Sequence, residues 1–185
     1  MQVVITFWQA LCSLPLAWHK ILGRFCGSLL MFFASKRRKI AKANIEICLS
    51  NRSLADQRKL LHKNFINLGD SLFQTGVAWF WSDARIQKDV AYKIIGLDLL
   101  KNHDESKGSL ILFKHSQHLE LDARLLGMAI DLFGVARSHN SSTMDALQTN
   151  GRLSSIKGSA DKNNPRQFIK WLKEGKNVLY AIDQD

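Results

Sequence analysis

Acidic residues are scarce in this sequence: 16 Asp and Glu stand against 26 Lys and Arg in 185 residues, a formal net charge of +10. That balance points to an anionic partner. Zinc-finger spacing, an RNP-like pattern and basic repeats are all missing, which excludes the common nucleic-acid modules. Because 46% of the residues are hydrophobic, the partner is expected to be partly apolar too, and an anionic membrane surface meets both demands. Cysteine is also sparse. Cys12, Cys26 and Cys48 are odd in number, crowded toward one end and without metal-ligand spacing. They read as reduced thiols or lipid-facing side chains, and exclude a disulfide framework. Internal repeats and low-complexity linkers are absent, leaving one domain of ordinary size with a real core.

The sequence also lacks an uninterrupted apolar stretch of the roughly 20 residues that one membrane-crossing helix needs. Residues 3–34 instead hold two shorter runs, 3–18 and 21–34, interrupted by His19-Lys20 and marked by Arg24. Charge follows the apolar stretch instead of preceding it, which argues against a signal peptide. Lys36-Arg37-Arg38-Lys39 directly after the second run marks a cytoplasmic flank, and Trp8 and Trp18 suit headgroup depth. Residues 1–34 are therefore expected to be an anchor lying in or crossing the inner membrane, with 35–185 forming a cytoplasmic domain. A buried helical hairpin is the other reading that such short runs allow.

What is present beyond residue 35 is helical first and alternating later. Ile40, Asn44, Ile45 and Cys48 suggest an amphipathic helix with a basic face. Ser53 followed by Asp56 resembles a capping box, opening a longer helix whose stripe runs through Leu61, Phe65, Leu68, Phe73 and Val77. An aromatic cluster, Ala78-Trp79-Phe80-Trp81, closes it as core or as the wall of a groove. Then come a strand at 90–95, a short helix at 97–102, a strand at 109–114, and a strand at 132–136. A helix at 142–147 follows, then one begun by Asn164-Pro165, and a strand at 177–182. This alternation predicts an α/β fold, with functional residues at the carboxyl ends of strands.

The stretch Leu110-Ile-Leu-Phe-Lys-His115-Ser-Gln-His118-Leu-Glu120-Leu-Asp122-Ala-Arg124 organises the chain. A short strand leads into a helix, with Ser116 as the expected N-cap and His115 at the junction. Positions five apart inside a helix are rotated by about 140°, so His115 and Glu120 could not share a face mid-helix. With His115 outside the helix, the carboxylate can reach back, fix the imidazole tautomer and make its other nitrogen a better proton acceptor. Equally, His115 can be a solvated junction residue and His118–Asp122 an ordinary i,i+4 pair.

This stretch resembles the H-x4-D/E motif of the glycerolipid acyltransferases, and Leu119-Glu-Leu-Asp-Ala-Arg124 resembles the lauroyl-type lipid A biosynthesis acyltransferases in particular. Leu147-Gln-Thr-Asn-Gly151-Arg152 and Ala181-Ile-Asp183-Gln-Asp185 are similar to that family's second and third blocks. The segment Arg37 to Leu49 is similar to its basic R-N-L-E helix. One segment departs: after Val135 the family's aromatic–Arg–Pro is replaced by Ala136-Arg137-Ser-His139. The resemblance implies an α/β acyltransferase domain behind membrane-anchoring and amphipathic helices. It implies acyl transfer from acyl carrier protein to a hydroxyl of a Kdo-bearing lipid A precursor, without metal or cofactor. His115 would be the general base, oriented by Glu120. Arg152 would hold the oxyanion or a lipid phosphate, and Asp183 would order Arg152 or the substrate.

Two other expectations stand beside it. The chain stops directly after a strand, inside a block of the family, which reads as a fragment or as a truncated, non-catalytic remnant. His115, His118, Glu120 and Asp122 could instead hold a hydrolytic metal, although the two histidines are three apart rather than the usual four.

Overall fold

The computed structural model describes residues 2–101, 107–137 and 141–181. Among these, six helices lead into a parallel sheet with three more. The first six are α1 (Gln2–Cys12), α2 (Leu16–Phe33), α3 (Ser35–Cys48), α4 (Leu54–Phe80), α5 (Asp83–Asp89) and α6 (Leu97–Lys101). Then β1 (Ser109–Phe113), α7 (Leu119–Gly127), β2 (Leu132–Ala136), α8 (Ser142–Leu153), β3 (Gly158–Asp161), α9 (Pro165–Lys173) and β4 (Asn177–Ala181) alternate. The α/β expectation holds.

The break between the first two helices falls at Ser13-Leu14-Pro15 rather than at His19-Lys20. Proline has no amide hydrogen to give and suits the entry of a helix. His19 lies inside α2, buried against the rings of Phe73 and Trp81 at 5.4 and 5.7 Å. Neither of its ring nitrogens makes a hydrogen bond, and burial lowers its pKa despite the nearby carbonyls at the end of α1. Of the two tryptophans, only Trp18 points outward; Trp8 packs edge-on to Phe80 and Trp79. No helix among the described residues is long and apolar enough to cross a membrane.

The longest helix among the described residues, α4, is about 40 Å at the usual rise per residue, and α1, α2, α3, α7 and α8 are laid against it. Ser53 caps it by accepting from the Asp56 amide at 3.1 Å, and its hydroxyl donates back to the Asp56 carboxylate at 2.8 Å. Gly23 and Gly27 on α2 meet Gly69 on α4. A Cβ on Gly69 would stand 2.0 Å from the Gly23 carbonyl oxygen, so the two backbones touch. At the far end, Trp81 donates its indole hydrogen to the Cys12 carbonyl at 2.7 Å, joining α4 to the end of α1. Cys12 itself is enclosed, and desolvation pushes its thiol up to about 12, leaving it unreactive.

The sheet order is β1-β4-β2-β3, with every pairing parallel. β4 returns to fill the slot that the crossover from β1 to β2 leaves open, burying Val178 and Leu179. Helix α7 lies between the sheet and α4. Its Leu126 packs with Leu132, Ile156 and Leu179, while Leu121 and Leu125 turn to Val77, Trp81 and Ile86. Arg124 of α7 is buried and bonded to the Ser154 carbonyl and hydroxyl at 2.5 and 2.8 Å, the Trp81 carbonyl at 3.2 Å, and Asp83 at 2.5 Å.

Four local expectations need correction. Residues 90–95 form no strand: Val90 caps α5 and packs on the Val77–Trp81–Ile86 cluster, while Tyr92 and Ile95 are exposed, so the segment has no buried face. The helix expected at 142–147 continues to Leu153, which puts Arg152 in its last turn. β3 has no counterpart in the sequence pattern, because Gly158-Ser-Ala-Asp161 lacks an apolar run and borrows its burial from Trp171 and Val178. Helix α7 begins at Leu119 with His118 at its cap, and Ser116 instead accepts from the His118 amide at 3.2 Å in a turn before it.

Candidate active site

The carboxyl edge of a parallel sheet, where strands hand over to helices, is the expected place for a cleft. Here a cavity of about 320 Å³ opens there. His115 lines it from the turn after β1, Glu120 from the first turn of α7, and Arg152 from the last turn of α8. Leu119, Ala123, Val135, Ile156 and Leu179 supply apolar wall, and Arg137 and Lys162 stand at the ends of β2 and β3. The site thus combines an imidazole, a carboxylate, cations and an apolar surface. Asp183 lies outside the described residues.

Glu120 is held from two sides. Arg152 donates from Nε to both carboxylate oxygens at 3.1 Å, and its Nη2 donates to Oε1. Trp79 donates its indole hydrogen to Oε2 at 2.9 Å. The pair is mostly enclosed, with the Arg152 side chain 22% and the Glu120 side chain 17% exposed. With its amide turned so that oxygen faces the guanidinium, Gln148 accepts from Nη1 at 2.6 Å and Nη2 at 3.0 Å. Arg152 is therefore held between a turn of its own helix and the start of α7. A guanidinium suits this, since its planar fork presents several donors in fixed directions.

His118 is turned elsewhere. Its Nδ1 lies against the Gln74 amide oxygen on α4, not against Asp122, so the expected i,i+4 pair is replaced by a contact to another helix. Its backbone carbonyl accepts from the Asp122 amide at 2.8 Å. With His118 occupied by Gln74 and Glu120 by Arg152, the donors of the metal reading do not converge. Among the described residues no three His, Cys, Asp or Glu gather at metal-binding positions.

Three contributors carry no distinct signal in the sequence. Trp79 belongs to the aromatic cluster, but of its three rings only that of Trp81 is fully core; Trp79 faces the cavity. Gln148 precedes Arg152 by one helical turn, a spacing that suggests their contact only once α8 is known to reach Leu153. Lys162 directly follows β3, the strand without an apolar run.

The chain matches the model of the bacterial lipid A biosynthesis acyltransferase family over residues 1–185. It is 38% identical over 165 residues to a lipid A biosynthesis lauroyltransferase of Escherichia coli K12, covering 89% of this chain and 53% of that protein. The palmitoleoyltransferase of the same organism is 36% identical over 165 residues, with the same coverage. A lipid A biosynthesis acyltransferase of Haemophilus influenzae is 33% identical over 183 residues, 98% of this chain and 58% of its own length. The chain thus spans a little over half the length of the curated relatives it matches. With the family's match running from end to end, the chain belongs to the bacterial lipid A biosynthesis acyltransferases.

Proposed function

We propose that this protein transfers a fatty acyl group from acyl carrier protein to a hydroxyl of a Kdo-bearing lipid A precursor. The observation carrying this reading is that His115, Glu120 and Arg152 line one cavity, together with apolar side chains, at the carboxyl edge of the sheet. A sugar hydroxyl is too weak an acid to attack a thioester unaided, so a base of near-neutral pKa is required. In this reading His115 takes the hydroxyl proton as the oxygen attacks the thioester carbonyl. The tetrahedral oxyanion that results is met by positive charge at Arg152. The carbon–sulfur bond then breaks, and the imidazolium returns its proton to the departing thiolate. The apolar wall would accept the acyl chain, and Arg137 and Lys162 would face the anionic groups of the acceptor. Asp183 would order Arg152 or the substrate.

The reaction would take place at the cytoplasmic face of the inner membrane. Supporting this, Val3, Phe7, Trp18, Ile21, Phe25, Phe32 and Phe33 of α1 and α2 are exposed, and Lys36-Arg37-Arg38-Lys39 follows at once. Two such helices would lie in the interface, their apolar faces toward the acyl chains and the basic cluster toward anionic headgroups. The test is transfer of radiolabelled acyl groups from acyl carrier protein to the precursor by the purified full-length protein in mixed micelles. Acylated precursor is the expected product. An enzyme that hydrolyses the thioester equally fast with and without acceptor would overturn the reading.

A further inference from the structure

We infer that Trp79 is a positioning residue: through its indole hydrogen it sets the direction in which Glu120 presents its carboxylate to Arg152 and the cavity. The inference rests on the reading above, in which Glu120 belongs to the reacting centre. Its geometry comes from three helices meeting at one ring. Trp79 sits in the last turn of α4, and its Nε1 lies 2.9 Å from Glu120 Oε2 on α7. The ring itself lies against α8. A Cβ at Gly151 would stand 2.4 Å from Trp79 Cγ and 2.7 Å from Cδ2, so only glycine lets the indole press on the helix backbone there. That glycine is the residue before Arg152. On another side the Trp8 ring meets Trp79 at 5.8 Å and 75°, an edge-on contact. The indole is thus clamped by α1 and α8, leaving its single donor aimed at α7.

The division of labour at the carboxylate follows. Arg152 approaches both oxygens with Nε and adds a second donor at Oε1. Trp79 supplies the further donor at Oε2. Without it, Oε2 would keep only its share of Arg152 Nε, and the carboxylate could turn about its terminal torsion, which is a broad one. An indole N–H suits the task because it cannot accept and does not titrate in the working range. Its direction stays fixed whatever the protonation of His115. This also gives Gly151, within the block Asn150-Gly151-Arg152, a physical reason: it makes room for the ring that orients the partner of Arg152.

The experiment uses the full-length protein and two readouts. Trp79→Phe keeps a ring against Gly151 and Trp8 but removes the donor. A hydrogen bond to a charged group supports a loss of about 10- to 100-fold in kcat when removed. The expected result is that loss, with KM for both substrates within about twofold and the melting temperature little changed. A kcat equal to that of the parent overturns the inference. The second readout needs no turnover. The 15N-indole resonance assigned to Trp79 by its disappearance in Trp79→Phe should move in Glu120→Gln and stay put in Asp122→Asn. A resonance indifferent to Glu120→Gln overturns the inference even if Trp79→Phe is slow, since the slowing would then come from packing. Absence of transfer by the unaltered protein would instead count against the acyltransferase reading, and leaves the resonance test standing.

Discussion

Glu120 and Arg152 face each other side-on across the gap between α7 and α8, with Nε shared between both carboxylate oxygens at 3.1 Å and Nη2 on Oε1. The two residues are 32 apart in sequence, yet their side chains line the same cavity. Glu120 lies in the first turn of α7, where the helix dipole favours a carboxylate, and Arg152 in the last turn of α8, where it favours a cation. The helix ends thus support the same pair that the side chains form.

From this pairing, Arg152→Lys is expected to keep the charge but lose the fork. A lysine ammonium cannot meet two oxygens and Gln148 in one plane, so kcat should fall by about 10- to 100-fold while the fold survives. Arg152→Ala, which leaves Glu120 largely enclosed and short of donors, should also destabilise the protein by about 1–3 kcal/mol, below the range for fully buried pairs. Acyl transfer and urea unfolding check the two effects. Full activity in Arg152→Lys would mean that only charge matters there.

The two histidines should behave in opposite ways. His115→Ala removes the proposed base and is expected to lower transfer by about 10²–10⁴-fold. His118→Ala breaks the contact to Gln74 and weakens the attraction at Asp70, both on α4, and should retain most activity. A folded His115→Ala protein with normal turnover would end the mechanism. A dead but folded His118→Ala protein would assign His118 a part in the chemistry that its contact to α4 does not suggest.

How far the sequence reaches is clear from particular elements. The capping box at Ser53, the apolar run of β1 and the Asn164-Pro165 start are local signals, and each marks a real boundary. β3 and the absence of a strand at 90–95 are decided by neighbours: Ala160 is buried because Trp171 and Val178 cover it, whereas Ile95 has nothing to cover it. At the site, spacing and resemblance single out His115, Glu120 and Arg152, which line one cavity. For Trp79 the sequence leaves core and groove wall both open, because a tryptophan beside Phe80 and Trp81 carries the same one-dimensional signal whether its ring faces core or cavity.

The α2–α4 contact predicts a sharp stability effect. A methyl group on Gly69 would meet the Gly23 carbonyl oxygen at 2.0 Å and the Gly27 nitrogen at 2.5 Å, both backbone atoms. Alanine favours a helix by about 1 kcal/mol over glycine, so any net loss in Gly69→Ala must come from the contact. We expect a net destabilisation of about 1–3 kcal/mol. Lys63→Ala, exposed on the same helix, should stay within about 0.5 kcal/mol. Thermal unfolding of both variants in detergent distinguishes them. A Gly69→Ala protein as stable as the parent would show that the helices separate without cost.

Asp70, one residue further along α4, should make stability depend on pH in a direction unusual for a carboxylate. Its Oδ1 is buried without a hydrogen bond, and a Cβ on Gly23 would come within 2.2 Å of it. Desolvation raises its pKa, and the opposing attraction of Arg24, Lys20 and His118 is the lesser influence. A carboxyl whose folded pKa lies above its unfolded value binds its proton more tightly when folded. Its contribution is complete below the unfolded value, about 4, and is lost as pH rises through the folded value. An asparagine side chain in its place cannot ionise. The stability of Asp70→Asn relative to the parent should therefore be flat below about pH 4, rise across the window above it, and level off in favour of asparagine once the pH has passed the raised folded value. Urea unfolding of both proteins between about pH 3 and 8, compared as a difference, isolates this group from the other carboxylates. A difference independent of pH would show that Lys20 and Arg24 already compensate the buried charge in full.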